Sequence, residues 1–168
     1  QKDAELRIAE LWAIAPMLRI ACIETLSVAF GKLLSDLDPP VASEPAARYV
    51  AKHDTTDCVA RAITALSALS TLPWKDFFDR TSLVEAALRQ DPAAVYSSMD
   101  FDSRDLYRRE VEELSRGSGL PETEIVRRAS ARSATEAFGA RGRHVGQWLV
   151  GDGRRDFEAS VNYRASPG

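Results

Sequence analysis

The chain has 168 residues, of which 45% are hydrophobic and 28% are charged, and its formal net charge is −3. This length and composition fit one ordinary globular domain with a core of its own. The small negative charge excludes a global field that would attract nucleic acid or an acidic membrane, so only local patches could do so.

The N-terminal segment, residues 1–35, is predicted to form one helix or a kinked helix pair. Apolar residues recur there at three- and four-residue steps, as in an amphipathic helix. Pro16 lacks an N–H and restricts the residue before it, so a kink or break is expected. Arg19 and Glu24 interrupt the apolar run, so we expect no direct membrane span. Charged residues at the start also argue against a signal peptide, and the simplest compartment is the cytoplasm.

The middle of the chain is predicted to hold a linker and then the core. Residues 36–54 are rich in proline and should form a linker with a short helix. Residues 55–138 should form a central helical core that starts with an unbroken apolar stripe. Cys22 and Cys58 lie among apolar neighbours, where a reduced, buried thiol is expected.

Three aromatic residues and a capping motif follow the first core helix. Trp74, Phe77 and Phe78 are expected to form the hydrophobic centre, and a sugar-stacking platform is the alternative. Ser82 and Glu85 have the spacing of a capping box, in which each side chain binds the other residue's backbone N–H. A helix to about Gln90 is therefore predicted.

The run from Asp91 to Leu120 holds the densest local signals. Asp91 should cap a short helix, and Asp102 or Ser103 should cap a second one. The second helix carries an apolar stripe and ends at two glycines. The stripe residues are Tyr107, Val111 and Leu114, and the glycines are Gly117 and Gly119.

Helical signals continue to the C-terminus. Pro121 is expected to open a helix with an acidic first turn. Residues 139–168 should form short helices and a tail. No β-alternation emerges from the sequence, so the predicted fold is all-α, an irregular array of about six to eight helices in one domain.

Several of these motifs resemble the cyclic β-1,2-glucan synthases, large bacterial membrane enzymes that build ring-shaped glucans from UDP-glucose. The motifs that carry the resemblance include Glu10-Leu11-Trp12-Ala13, Pro16-Met17-Leu18-Arg19, Ile23-Glu24, Trp74, Asp76-Phe77-Phe78, Val84-Glu85, Asp91-Pro92, Val95-Tyr96, Met99-Asp100-Phe101, Arg104-Asp105, Tyr107-Arg108, Val111-Glu112, Ser118-Gly119 and His144-Val145-Gly146. They span most of the chain in one order. By this resemblance the chain is a piece of the non-catalytic N-terminal region of such a synthase.

The resemblance implies a scaffold or regulatory role at the cytoplasmic face of the inner membrane. The expected partners are other domains of the parent glycosyltransferase, a homo-oligomer is left open, and no cofactor or nucleic acid is expected. The family builds its glucan on a protein-linked intermediate, but Tyr96 and Tyr107 are expected to be packed rather than to carry sugar.

One cluster of charged and hydrogen-bonding residues is singled out as an interaction or structural motif. Its members are Asp100, Arg104, Asp105, Tyr107, Arg108 and His144. They could form ion pairs that hold helix ends, or they could dock another domain, and both uses are compatible.

We expect no catalytic or metal site within the chain. Asp100 and Asp102 have the D-x-D spacing of sugar-nucleotide transferases, but Asp102 reads better as a helix cap. Neither His53 nor His144 has a ligand partner at a zinc spacing, and no G-x-S-x-G elbow occurs.

Two other function classes remain open. Residues 111–131 have the form of helix, glycine turn and helix, with Arg127, Arg128 and Arg132 on the second helix, as in a DNA-binding regulator. The acidic net charge argues against that function. A stand-alone helical protein-interaction module is the third class.

Overall fold

The computed structural model describes residues 5–35, 45–135 and 143–165, with the backbone alone for 45–53. In this part of the chain there are eight α-helices, one short 3₁₀ helix and no strand, so the predicted all-α class is confirmed. The helices are α1 (Ile8–Ser35), α2 (Pro45–Thr71), α3 (Trp74–Thr81), α4 (Leu83–Leu88), α5 (Phe101–Ser118), α6 (Glu122–Ser133), α7 (Gly146–Leu149) and α8 (Arg154–Ser160).

The chain divides into two compact units. The two-helix unit is Trp12–Trp74, and the core unit combines Gln1–Leu11 with Lys75–Gly168. Helix α1 continues through Pro16 as a single helix of 28 residues, without the break into two helices that the proline could have caused. Helix α2 begins at Pro45, earlier than expected, because proline is compatible with the first turn of a helix. The rest of the predicted linker, 36–44, lies outside the described residues.

In the two-helix unit, α1 exposes most of its apolar surface. By length and composition α1 could cross a membrane, although such a helix is weak evidence for a span, and only 6% of its most apolar window is buried. Its exposed large side chains are Met17, Leu18, Ile20, Ile23, Val28, Phe30 and Leu34. The expectation of no membrane span therefore stays a prediction. Cys22 and Cys58 are free and half-buried.

The hydrophobic centre of the core unit lies around α6, which packs against α4, α5 and α7. Burial of each large apolar side chain contributes about 1.5–3 kcal/mol, before the entropic cost of ordering the chain. The fully buried apolar residues include Leu88, Val111, Leu114, Ile125, Val126, Ala129, Val145, Leu149 and Phe157. The predicted α5 stripe faces this centre.

Of the three aromatic residues predicted at the centre, only Phe78 is buried. Phe78 is 1% exposed, whereas Phe77 is 38% exposed. Trp74 is half-buried and donates its indole N–H to the Leu69 carbonyl at 2.9 Å, within the two-helix unit. In a short helix, residues 77 and 78 point about 100° apart, so one ring can be inside while the other faces outward.

The boundaries of α5 differ from the expectation at one end. Asp100 is the N-cap, and its carboxylate accepts from Ser103 N at 2.8 Å, so the expected caps Asp102 and Ser103 are wrong. At the other end Gly119 adopts φ 74°, a left-handed conformation that glycine takes without strain. The short helix expected from Asp91 is a turn followed by a 3₁₀ helix, Tyr96–Ser98.

Candidate functional site

A buried ion network joins α3, α4 and α5 in the core unit. Its centre is Glu85, which is 0% exposed. The Oε2 atom of Glu85 accepts from the Tyr96 hydroxyl at 2.6 Å and from Arg108 Nη1 at 2.8 Å. Its Oε1 atom accepts from Arg89 Nε at 2.9 Å and from Arg104 Nη1. The carboxylate therefore receives four donors.

Arg108 is the largest fully buried side chain of the network. Its guanidinium lies between two aromatic rings, 5.0 Å from the Phe78 centroid and 4.4 Å from the Phe101 centroid. It also donates to the Phe101 carbonyl at 3.2 Å and to Asp105 at 3.4 Å. Ring faces attract cations, and this attraction strengthens where water is excluded. Arg108 is thus held by charge, hydrogen bonds and ring contacts.

Asp79 supplies the second carboxylate of the network. Its Oδ2 accepts from Arg104 Nη2 at 2.7 Å and from Arg89 Nη2 at 3.1 Å. The network, with Asp105 at its edge, pairs three acids with three arginines. Buried charges are costly unless they are paired in this way. In the described part of the chain, Asp79 Oδ1, Arg104 Nε and Arg108 Nε lie buried with no hydrogen-bond partner.

The electrostatics of the network keep Glu85 ionised. Burial works to raise the pKa of Glu85, but the hydrogen bonds from Tyr96 and Arg108 and the charges of Arg104 and Arg108 outweigh it. The pKa of Glu85 therefore lies below its usual 4.5. Burial, and then the contact with Glu85, raises the pKa of the Tyr96 hydroxyl. Tyr96 remains a neutral hydrogen-bond donor at physiological pH.

Glu85 appeared in the sequence as part of a capping box, and half of that motif is present. The Ser82 hydroxyl accepts from Glu85 N at 3.2 Å, as predicted. The Glu85 carboxylate turns instead to the arginines of α5, and Ser82 N donates to the Phe78 carbonyl. Ion pairs with Arg104 and Arg108 compete with the cap for the same carboxylate.

A second cluster, the His144 clasp, holds the C-terminal segment against the turn after α4. Asp91 is its acceptor and is 4% exposed. The Asp91 carboxylate accepts from Val145 N at 2.9 Å, His144 Nδ1 at 2.8 Å, Val95 N at 3.2 Å and Tyr96 N at 3.4 Å. The expected capping contacts of Asp91 are those with the backbone amides of Val95 and Tyr96. No pattern in the sequence predicted its contact with residues 144–145.

His144 links Asp91 to Tyr107. Its Nε2 lies 3.0 Å from the Tyr107 hydroxyl, while Nδ1 faces Asp91. A carboxylate only accepts, so Nδ1 carries a proton, and a neutral ring then accepts from Tyr107. The order hydroxyl, imidazole, carboxylate is that of a nucleophile triad. Here burial and then the charge of Asp91 raise the pKa of Tyr107, which disfavours the phenolate.

Gly146 closes the space beside the Tyr107 hydroxyl. A Cβ at position 146 would lie 2.5 Å from both Tyr107 Oη and His144 Nε2. The hydroxyl therefore faces backbone and not a substrate-sized cavity on that side. We conclude that the clasp fastens the C-terminal segment to α5.

We expect Gly146→Ala to lower the free energy of unfolding by about 1–3 kcal/mol, because overpacking displaces His144 and Tyr107. Gly31→Ala is the matched control, since a Cβ at position 31 in α1 meets nothing within 4 Å. That control should raise stability by about 0.5–1 kcal/mol, the usual gain from alanine in a helix. Urea unfolding followed by circular dichroism measures both changes. Equal effects would contradict the close packing at Gly146.

The structure separates the six residues predicted as one cluster. Arg104, Asp105 and Arg108 belong to the ion network, whereas Tyr107 and His144 belong to the clasp. Asp100 is an exposed cap, and its hydrogen bonds to Ser103 lower its pKa. Asp79 and Glu85 are the main partners of these arginines, and no local spacing in the sequence predicts that pairing.

The carboxylates of the D-x-D motif serve local structure. Asp100 binds Ser103, and Asp102 is 88% exposed beside Lys75 at 3.4 Å. Within residues 5–35, 45–135 and 143–165, no group of three or more His, Cys, Asp or Glu residues could hold a metal ion.

The arginines of α6 make contacts inside the core unit. Arg127 and Arg128 both donate to Glu124, at 2.7 Å and 2.6 Å, and these contacts lower the pKa of Glu124 to about 2. The Arg132 guanidinium lies 5.2 Å from the Trp148 ring centroid. Arginines that are engaged in these contacts are less available to bind the phosphates of DNA.

The pKa of Glu122, at the start of α6, is shifted in the opposite direction from that of Glu85. It accepts from Ile8 N at 2.9 Å and is 6% exposed. Burial raises the pKa of Glu122, Glu112 and Glu10 add to the rise, and the Ile8 amide and Arg7 oppose it only in part. The folded state therefore disfavours ionised Glu122.

From this shift we expect Glu122→Gln to raise the free energy of unfolding at pH 7. Glutamine keeps an acceptor for Ile8 N without the buried charge. A carboxyl whose folded pKa is raised destabilises the fold above that pKa, so the gain should shrink as pH falls and vanish below the unfolded value near 4.5. Urea unfolding at several pH values tests this. A gain that persists at low pH would contradict the electrostatic cause.

Comparison with known proteins shows what the chain is similar to. No family model matches the chain, and no solved structure matches it. The chain is similar to the cyclic beta-(1,2)-glucan synthase NdvB of Rhizobium meliloti (strain 1021). The two are 33% identical over 111 residues, which are 62% of this chain and 4% of NdvB. The resemblance seen in the sequence is thus confirmed as similarity to a small part of that synthase.

Proposed function

We propose that this chain is a non-catalytic helical scaffold within a cyclic β-(1,2)-glucan synthase, at the cytoplasmic face of the membrane. The observation that carries the proposal is the similarity to NdvB over 4% of that protein's length. A segment of this size is one structural element among many in such a polypeptide, and chemistry can reside in the other parts.

The contacts of the core unit support a scaffold role. Glu85, Arg104 and Arg108 are directed at one another and at aromatic rings inside the unit. These charged contacts hold α3, α4 and α5 in a fixed arrangement. Helices locked in this way can present a constant surface to neighbouring domains, which are the proposed partners.

A segment exchange tests the proposal. The part of NdvB that matches this chain is replaced by the corresponding residues of this chain, and membranes of the producing cells are supplied with labelled UDP-glucose. We expect cyclic glucan from the chimera, and less from a chimera that carries Glu85→Gln, because that change weakens the contacts that hold α3, α4 and α5 together. Glu112→Gln in the exposed pair with Arg116 is the control that should keep synthesis.

Two results would contradict the proposal. The first is release of UDP from UDP-glucose by the isolated chain, since a scaffold has no turnover. The second is normal glucan synthesis by a chimera whose exchanged segment is unfolded by Glu85→Gln, as judged by proteolysis. A DNA-binding regulator would instead show salt-dependent retention on DNA.

A further inference from the structure

Helix α1 carries a regular stripe of exposed apolar side chains in the two-helix unit. Ile20, Ile23, Phe30 and Leu34 are 53%, 56%, 50% and 66% exposed. With Ser27 between them, they follow one another at steps of three, four, three and four residues. That spacing is the a/d seam of a coiled coil, in which each side chain inserts between residues of a facing helix.

The residues beside the stripe decide what covers it. Arg19 and Glu24 are both exposed and lie near the middle of α1. The centre of a bilayer strongly disfavours charged side chains, so Arg19 and Glu24 argue against α1 as a membrane-spanning helix. In the heptad that places Ile20 at a and Ile23 at d, Arg19 is a g residue and Glu24 is an e residue.

We propose that α1 pairs with α1 of a second copy of this chain as a parallel two-stranded coiled coil. In a parallel pair, a g residue faces the e residue five positions further on in the other helix. Position 19 therefore faces position 24, so Arg19 of each copy meets Glu24 of the other. An antiparallel pair brings e to e and g to g, so Arg19 would not face Glu24 and this ion pair would be lost.

Other contacts of these residues allow the pairing. Arg19 donates to the Leu69 carbonyl at 3.4 Å through Nη2, and its Nη1 and Nε offer further donors to a carboxylate. The stripe is short, and the polar Ser27 occupies its central a position. A polar a residue lowers stability while it fixes register, so the association is weak and depends on concentration.

Sedimentation velocity of the full 168-residue chain tests the proposal over a wide range of concentration. We expect a monomer at low concentration and a dimer at high concentration. Ile23→Asp should weaken dimerisation by more than about tenfold, which corresponds to the 1.4 kcal/mol of one decade in binding constant. Val28→Asp is the matched control: Val28 is 61% exposed on the same helix but lies outside the stripe.

A charge exchange tests the parallel orientation. Arg19→Glu and Glu24→Arg should each weaken the dimer, because each sets like charges face to face. The double variant should recover dimerisation, because it restores both pairs with their signs reversed. Circular dichroism of each variant at low concentration checks that the helices are retained.

Four results would overturn the proposal. The first is a chain that stays monomeric at its highest soluble concentration, and the second is an equal loss of dimerisation in Ile23→Asp and Val28→Asp. The third is a double charge variant that dimerises no better than the single variants. The fourth is a dimer that dissociates as the chain binds to and floats with neutral phosphatidylcholine vesicles. The last result would assign the stripe to lipid. The proposal stands independently of any role in glucan synthesis.

Discussion

Glu85→Gln is expected to lower the free energy of unfolding by about 3–5 kcal/mol, because it leaves Arg104 and Arg108 buried without their main counter-charge. An amide has nearly the shape of the carboxylate, so little of this loss can come from packing. Urea unfolding at pH 7, followed by circular dichroism, measures the change.

The control for this variant is Glu112→Gln, which removes an exposed pair with Arg116 on α5. That change should cost less than about 0.5 kcal/mol. Similar losses at the two positions would contradict the special role of the buried network.

The effect of Glu85→Gln should also depend on pH. The folded pKa of Glu85 is lowered, so its ionisation stabilises the fold above the unfolded value near 4.5. That contribution is lost as pH falls below 4.5 through the folded pKa. The difference between wild type and variant should therefore be constant near neutrality and shrink in acid.

Asp91→Ala is the second change with a large expected effect, about 3–5 kcal/mol. It removes the acceptor of the buried Val145 and Tyr96 amides and of His144, and each orphaned buried donor costs about 1–3 kcal/mol. Hydrogen exchange should rise at residues 144–150, because the clasp no longer holds them. Urea unfolding measures the loss in stability.

The comparison for Asp91→Ala is Asp102→Ala at the exposed start of α5. Asp102 contacts Lys75 at 3.4 Å, and its loss should cost less than about 1 kcal/mol. Unchanged exchange at residues 144–150 in Asp91→Ala would show that another contact holds the C-terminal segment.

Local signals in the sequence were enough to predict the helical class and much of the core. The spacing of Tyr107, Val111 and Leu114 predicts their common burial, and Gly119 predicts the end of α5. Both follow from the geometry of one helix and its termini. The same local logic placed the cap of α5 at Asp102 or Ser103, because Asp100, Asp102 and Ser103 are all good capping residues.

The partners of the charged residues could not be predicted in the same way. Arg104 and Arg108 were singled out, but Glu85 lies 19 and 23 residues away from them. Its carboxylate had an equally good local use as half of a capping box. Tertiary packing decides between these uses, and a single sequence does not encode that choice in any local spacing.

The His144 clasp has a consequence for dissecting the molecule. Asp91 and Val145 are 54 positions apart, so their bond ties the turn after α4 to a segment that is synthesised much later. A truncated product that stops before His144 would expose the Tyr107 hydroxyl and leave the buried Asp91 carboxylate without the donors of His144 and Val145. A fragment designed to contain the folded core unit should therefore extend past the end of α8.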